Sequence, residues 1–137
     1  METIMLDSSV WISLLGQDVN TENAEKIHDH IKSLKCEIIL PIIIYVEVTN
    51  NIIKLDKTGL IRGNFEEIIR LNKIKILFPS EKFWYNAIVN CTKGIRLKTL
   101  DLLILNSVLE YKVGEFFTFD KKLKAAYDLI KKLGKNL

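Results

Sequence analysis

Cysteine, histidine, proline and glycine are all scarce in this sequence. Its 137 residues include two Cys, two His, two Pro and six Gly. Cys36 and Cys91 lie far apart, with no CxxC pair and no histidine at zinc-ligand spacing, which argues against a disulfide framework and against a zinc site. We therefore expect a protein of the reducing cytoplasm in which both cysteines fill the core.

The motifs of several common enzyme classes are also missing. There is no GxGxxG dinucleotide fingerprint, no GxxxxGK[ST] phosphate loop and no GxSxG nucleophile elbow. His28 and His30 are two residues apart on a predicted helix, so they point to different faces, and we expect them on the surface. The first apolar stretch contains Asp7 and lacks a basic flank, which argues against a signal peptide or a membrane helix.

Linkers, repeats and low-complexity tracts are absent too, so we expect one domain spanning residues 1–137. Short β-rich runs alternate with segments of helical periodicity, which predicts a three-layer α/β/α fold with a central parallel sheet of four to five strands. The tail after Lys131 has no clear apolar run, so a fifth strand is not assigned. The predicted strands are Thr3–Leu6, Glu37–Leu40, Lys73–Phe78 and Glu115–Phe119. The predicted helices are Ser9–Leu15, Thr21–Leu34, Ile42–Leu55, Asn64–Asn72, Glu81–Cys91, Thr99–Tyr111 and Lys121–Leu133.

Several polar and aromatic side chains have ordinary structural explanations. Two aromatic groups could stack on bases, but core packing is the better interpretation; they are Phe83, Trp84 and Tyr85, and Phe116, Phe117 and Phe119. Hydroxyl residues at helix starts are predicted N-caps; they are Ser8 or Ser9, Thr21, Ser80 and Thr99.

The net charge of +3 and the isoelectric point of about 8.8 are mildly basic. Such a balance is compatible with a polyanionic partner but does not identify one. Lysines are frequent from Lys121 onward, where a solvated helix face explains them equally well.

Two acidic residues stand directly after predicted strands. Asp7 follows the first strand and Asp120 follows the fourth. Ligands of open parallel α/β sheets bind outside the carboxyl ends of the strands, near the point where strand order reverses. Asp7 and Asp120 are therefore candidates for one site at this edge.

Two further acids lie in helices that are otherwise strongly apolar. Glu47 lies within PIIIYVEVTN and Asp101 within KTLDLLILN. A buried carboxylate is usually paired or bound to a metal, although an Asp in a first helical turn also complements the helix dipole. Each acid alone has an adequate structural explanation. A cluster of four without histidine or cysteine would suit a hard cation such as Mg²⁺ or Mn²⁺.

Four motifs carry a more specific resemblance: DSSVWI at Asp7–Ile12, PIIIYVEVTN at Pro41–Asn50, IRLKTLDLLIL at Ile95–Leu105 and FFTFDKKL at Phe116–Leu123. In this order and spacing they resemble the acidic motifs of PIN-domain ribonucleases, especially the VapC-type toxins of prokaryotic toxin–antitoxin modules. The resemblance runs over nearly the full chain.

The resemblance implies a PIN-like five-stranded parallel sheet, Mg²⁺- or Mn²⁺-dependent hydrolysis of RNA, and inhibition by a cognate antitoxin. By this resemblance Asp7, Glu47, Asp101 and Asp120 are the catalytic and metal-binding residues. Ser8 and Thr118 fall where hydroxyl residues support the acids. Two departures from the family pattern are the bulky Leu102 after the third acid and the missing final strand.

The same resemblance predicts a homodimer. A second reason is the number of Ile and Leu residues on two predicted helices, which is larger than one core face requires; these helices are Ile42–Leu55 and Asn64–Asn72. The serious alternative to an enzyme is a non-catalytic PIN-like module that binds RNA or protein. A haloacid-dehalogenase-like phosphatase would need DxD, but Ser9 stands two residues after Asp7. A receiver domain would need an Asp at the end of the third strand, where this chain has Phe78 and Pro79. No base-reading motif identifies the RNA target.

Overall fold

The computed structural model describes residues 2–16, 20–33, 35–56 and 58–134. Strands and helices alternate along the chain, as the sequence predicts. In order, the elements are β1 (Glu2–Leu6), α1 (Ser8–Leu15), α2 (Thr21–Lys32), β2 (Cys36–Pro41), α3 (Ile42–Leu55), α4 (Leu60–Leu71), β3 (Lys75–Leu77), α5 (Glu81–Thr92), α6 (Thr99–Glu110), β4 (Glu115–Phe117) and α7 (Lys121–Gly134).

The strands form one parallel sheet in the order β3-β2-β1-β4. Consecutive residues of a strand point to opposite faces of the sheet. Ile4, Met5 and Leu6 of the central strand are all buried, so helices cover both faces of β1. The predicted α/β fold with a parallel sheet flanked by helices is confirmed.

The strand order determines where a ligand site is expected. Along the chain, β2 is added beside β1 and β3 beside β2, whereas β4 is added on the opposite side of β1. The order therefore reverses between β1 and β4, and the carboxyl ends of these two strands border the crevice in which open α/β sheets bind ligands.

Two helices that approach this crevice are fixed by their packing. On α3, Ile44, Val48 and Ile52 are buried at a spacing of four residues, which places one face of the helix in the core. Helices α5 and α6 are joined by a buried amide pair, in which Asn90 Nδ2 donates to Asn106 Oδ1 at 2.8 Å. Asn106 Nδ2 in turn donates to the Phe83 carbonyl at 3.0 Å, so both amides are satisfied.

Three predicted boundaries were wrong for local reasons. Lys73 has a φ of 51° in the left-handed region after α4, so the third strand begins later, at Lys75. Strand β4 ends at Phe117 because the Phe119 N–H donates to the Ser9 side chain at 3.1 Å. Helix α4 begins earlier than predicted, directly after Gly59, whose φ of 78° suits a glycine.

The predicted caps have mixed outcomes. Ser80 caps α5, where its side chain accepts from the Phe83 N–H at 3.3 Å. The N-cap of α1 is Asp7, not a serine, and the N-cap of α6 is Lys98, not Thr99. Neither helix has a side-chain cap hydrogen bond. At α1, the hydroxyl groups of Ser8 and Ser9 donate instead to the carboxylates of Glu47 and Asp7.

Burial corrects part of the predicted core. Cys91, Trp84 and Tyr85 are exposed, so their assignment to the core was wrong; their neighbour Phe83 is fully buried. His28 and His30 are exposed, as expected. Helix α7 continues to Gly134. The last three residues of the tail, for which the sequence assigns no fifth strand, lie outside the described residues. No described helix has both the length and the apolarity needed to cross a bilayer.

Candidate functional site

Asp7 and Asp120 lie at the two strand ends that border the crevice. Asp7 follows β1 and is only 4% exposed. Its N–H donates to the Phe117 carbonyl at 2.9 Å, which continues the β1–β4 pairing by one bond. The N–H of Asp120 donates to Thr118 Oγ1 at 3.1 Å. The β1–β4 pairing therefore fixes the backbone of Asp7, and the Thr118 side chain fixes that of Asp120 in the loop after β4.

Two hydroxyl groups donate to the Asp7 carboxylate, and a third lies near it. Thr118 Oγ1 donates to Asp7 Oδ2 at 2.7 Å, and Ser9 Oγ donates to the same oxygen at 3.1 Å. Ser8 Oγ lies 3.5 Å from Asp7 Oδ1. Ser9 Oγ and Thr118 Oγ1 also accept backbone N–H groups of the β4–α7 loop, so their own protons are available to Asp7. The network holds the carboxylate of Asp7 in one orientation.

Glu47 reaches the same network from α3. The Ser8 hydroxyl donates to Glu47 Oε1 and thus lies between the carboxylates of Glu47 and Asp7. Burial raises the pKa of Glu47, and the like charges of Asp7 and Asp101 raise it further, while the bond from Ser8 opposes the shift. Glu47 is therefore a half-buried acid whose charged form is disfavoured.

Asp101 lies in the first turn of α6 and is also partly buried. Burial is the main reason that the pKa of Asp101 is raised, and the charges of Asp120 and Asp7 add to the effect. Lys98 acts in the opposite direction. The favourable helix position of Asp101 does not compensate for its acidic neighbours.

Asp120 is the exposed member of the group, and it has a structural role of its own. Its Oδ1 accepts the Leu123 N–H at 3.0 Å, so the side chain caps α7. One carboxylate oxygen is therefore used by the helix.

The four predicted acids form one electrostatic cluster, hereafter the acid cluster: Asp7, Glu47, Asp101 and Asp120. The charge of Asp7 raises the pKa values of both Glu47 and Asp101. Asp101 also raises the pKa of Glu47, and Asp120 raises that of Asp101. Within the described ranges, however, no three Asp, Glu, His or Cys side chains lie close enough to hold a metal ion as they stand. Their oxygen-only donor chemistry suits Mg²⁺ or Mn²⁺, and carboxylates without a counter-ion repel one another. The donor set fits a hard cation in kind, while its spacing is that of separated anions.

A pocket of about 410 Å³ opens beside two of these acids. Asp101 and Asp120 contribute to its wall, and most of the other lining residues are basic. The full lining is Arg96, Leu97, Lys98, Asp101, Asp120, Lys121 and Lys122.

The sequence does not predict the role that Ser9 has in the site. Ser9 is predicted only as a helix cap, yet its hydroxyl joins the Asp7 carboxylate to the Phe119 backbone N–H. A hydroxyl residue two positions after a strand-end acid was the available pattern, but the same pattern also describes an ordinary cap.

A family model described as "PIN domain" matches residues 4–129. Among solved structures, the chain is similar to Mycobacterium tuberculosis VapC20, described as a sarcin–ricin loop cleaving toxin, with a TM-score of 0.70 and 14% identity over 90% of this chain and 94% of that one. It is also similar to VapBC2 from Rickettsia felis bound to a promoter DNA fragment, with a TM-score of 0.66 and 17% identity over 90% of this chain and 92% of that one. At such identities the likeness shows the fold. No curated protein sequence matches significantly.

The raised pKa values of Glu47 and Asp101 predict a pH-dependent stability. Because the folded state keeps these protons to higher pH than the unfolded chain, the free energy of unfolding falls as pH rises through the window between the two pKa values. In metal-free protein, Glu47→Gln and Asp101→Asn should therefore each raise the melting temperature at pH 7, by roughly 3 °C. The gain should vanish below about pH 4, where the unfolded acids are protonated too.

Thermal unfolding followed by circular dichroism in EDTA measures this effect. Glu67→Gln is the matched control, because Glu67 is an exposed acid on α4. A melting temperature of either variant that lies below that of the parent protein at neutral pH would contradict the predicted repulsion.

Proposed function

Because the chain belongs to the PIN domain family, we propose that it is a metal-dependent endoribonuclease that hydrolyses RNA phosphodiester bonds. The observation that supports this best is the acid cluster at the carboxyl ends of β1 and β4, where burial and, in addition, like charges raise the pKa values of Glu47 and Asp101. Ionisable groups with shifted pKa values of this kind are concentrated at functional sites. If the four acids had only a structural role, replacing one of them with an amide would increase the stability of the fold, so their presence together indicates a function.

Mg²⁺ or Mn²⁺ is the proposed cofactor. Asp7 and Asp101 are the first choice as direct ligands, and Glu47 and Asp120 complete the set. When bound, such a cation activates water and neutralises charge on the scissile phosphate. The choice of a hard cation rests on the donors, which are carboxylate and hydroxyl oxygens without nitrogen or sulfur.

The surrounding hydroxyl residues are proposed to orient the acids. Thr118 and Ser9 direct their protons at Asp7 Oδ2, which leaves the geometry of that carboxylate little freedom. Ser8 donates to Glu47 from beside Asp7 and so spaces the two anions. Such support of ligands by neighbouring hydrogen bonds commonly affects metal affinity and activity by about 10–100-fold.

We further propose that the protein is the toxin of a toxin–antitoxin pair and that a cognate antitoxin inhibits it. The fold shared with VapC20 and with VapBC2 supports this. A basic side chain of the antitoxin would satisfy the oxygens of the acid cluster in place of a metal. The competing hypothesis is a PIN module that binds RNA or protein without cleaving, and the following experiment separates the two.

Asp101→Asn and Glu47→Gln should each lower Mn²⁺-dependent RNA cleavage by about 100-fold or more, because each removes a proposed metal-binding charge. The measurement uses total RNA and a synthetic sarcin–ricin loop as parallel substrates. EDTA should abolish cleavage by the parent protein, and excess Mn²⁺ should restore it. Glu67→Gln should retain full activity.

Wild-type cleavage by either site variant would show that the ligand set is wrong. Folded parent protein that leaves both RNAs intact in Mn²⁺ would favour the non-catalytic hypothesis.

The homodimer remains a proposal, supported by apolar side chains that α3 and α4 leave in solvent. Val46, Ile53 and Leu55 on α3 and Leu60 and Leu71 on α4 are each more than half exposed. Large exposed apolar groups of this number are typical of interaction surfaces.

Ile53→Glu should convert the dimer to a monomer, because it places a charge on this apolar surface. Light scattering coupled to size-exclusion chromatography gives the mass. Lys54→Glu, on the adjacent exposed position of the same helix, should leave the dimer intact. A parent protein that is monomeric at all concentrations would rule out this assembly.

A further inference from the structure

Four basic side chains surround the acids that line the pocket. Arg96 and Lys98 precede α6, and Lys121 and Lys122 begin α7. All four are exposed. They are called the basic rim below.

The rim residues stand where helix electrostatics disfavours them. The amino terminus of a helix carries partial positive charge, so acids stabilise it and cations destabilise it. Helices α2 and α5 follow this rule, with Glu22 and Glu81 in their first turns. Helix α7 begins with Lys121 and Lys122 directly after its acidic cap, Asp120. Lys98 is the N-cap of α6, whose first turn contains Asp101.

No ion pair accounts for these cations. The salt bridges found in the described part of the chain involve other residues, most of them one helical turn apart on the surface. Lys98 lowers the pKa of Asp101, so it lies within electrostatic range of the acid cluster without forming a salt bridge with it. Among the described residues, the rim cations thus lie near acids at the two helix starts without being held by a salt bridge.

The pocket wall contains both signs of charge. Asp101 and Asp120 line it together with the four cations, while Asp7 is buried at the end of β1 and does not line the pocket. An anionic polymer would be repelled by the acids and attracted by the rim. Successive phosphates on the rim would bring the intervening phosphodiester towards the acids.

We propose that Arg96, Lys98, Lys121 and Lys122 are positioning residues that bind the phosphates of an RNA strand on either side of the bond to be cleaved. This assignment rests on the proposed ribonuclease function. The rim contacts the backbone and reads no base, so it contributes affinity and register but no sequence preference.

The test measures RNA binding without cleavage. Binding of a fluorescent oligouridylate is followed by anisotropy in an Asp7→Asn background without divalent metal. The double variants Arg96→Gln/Lys98→Gln and Lys121→Gln/Lys122→Gln should each bind about tenfold more weakly at low salt. The slope of log K against log salt should fall by about 1.4, because each phosphate contact in a single strand contributes about 0.7.

The control is Lys35→Gln/Lys75→Gln. These exposed lysines precede β2 and begin β3, so they lie at the opposite edge of the sheet, and the same loss of charge there should leave binding unchanged. The melting temperature of Lys121→Gln/Lys122→Gln should not fall, because the helix dipole disfavours both lysines. A loss of binding in this variant is then not a loss of folding.

Several results would overturn the assignment. Parent-like RNA binding by both rim variants, or an equal loss in the Lys35/Lys75 control, would remove it. Displacement of the RNA by inorganic phosphate at equal phosphate concentration would indicate a free-phosphate site and would also overturn the assignment. Displacement by poly-glutamate at equal charge would do the same, because it would indicate a protein partner. Rim variants that lose binding while the parent protein fails to cleave RNA in Mn²⁺ would uphold the rim and reject the nuclease.

Discussion

Repulsion among carboxylates in a partly buried crevice is the constraint to which the rest of the site responds. Glu47 and Asp101 come from two different helices, and both have raised pKa values because burial and like charges act together. Asp7, directly after the central strand, is fixed by the hydroxyl groups of Ser9 and Thr118. The apolar core on both faces of β1 holds these elements in place, so the acids cannot simply move apart into solvent.

The sequence predicted the positions of the acids better than their surroundings. Asp7 and Asp120 followed from a general rule about parallel sheets, because strand ends are visible in the hydrophobic pattern. The hydrogen bonds of Ser9 within the site could not be predicted, because a hydroxyl residue at a helix start is equally typical of an ordinary helix cap. The short third strand could not be anticipated, since it depends on the left-handed conformation of Lys73, a residue that seldom adopts it. The exposure of Trp84 beside the buried Phe83 depends on which face of α5 meets α6, which composition does not reveal.

The family and the fold place this chain among PIN domains, and its own charges suggest how it would use that fold. Cationic side chains line the pocket next to Asp101 and Asp120, and Lys98 is close enough to lower the pKa of Asp101. A divalent cation within the acid cluster would remove the repulsion and reduce the barrier to an approaching phosphate. Metal binding, stability and substrate binding would then be linked, because each changes the same local charge.

The most direct test of this account is the effect of Mn²⁺ on the melting temperature at neutral pH, compared between the parent protein and the Glu47→Gln and Asp101→Asn variants. A cation bound only by the folded state adds about 2.7 kcal/mol to the free energy of unfolding at a hundredfold excess over its dissociation constant. We expect Mn²⁺ to raise the melting temperature of the parent protein and to have little effect on either variant. An equal rise in all three proteins, or no rise in the parent protein, would contradict a metal site formed by the acid cluster.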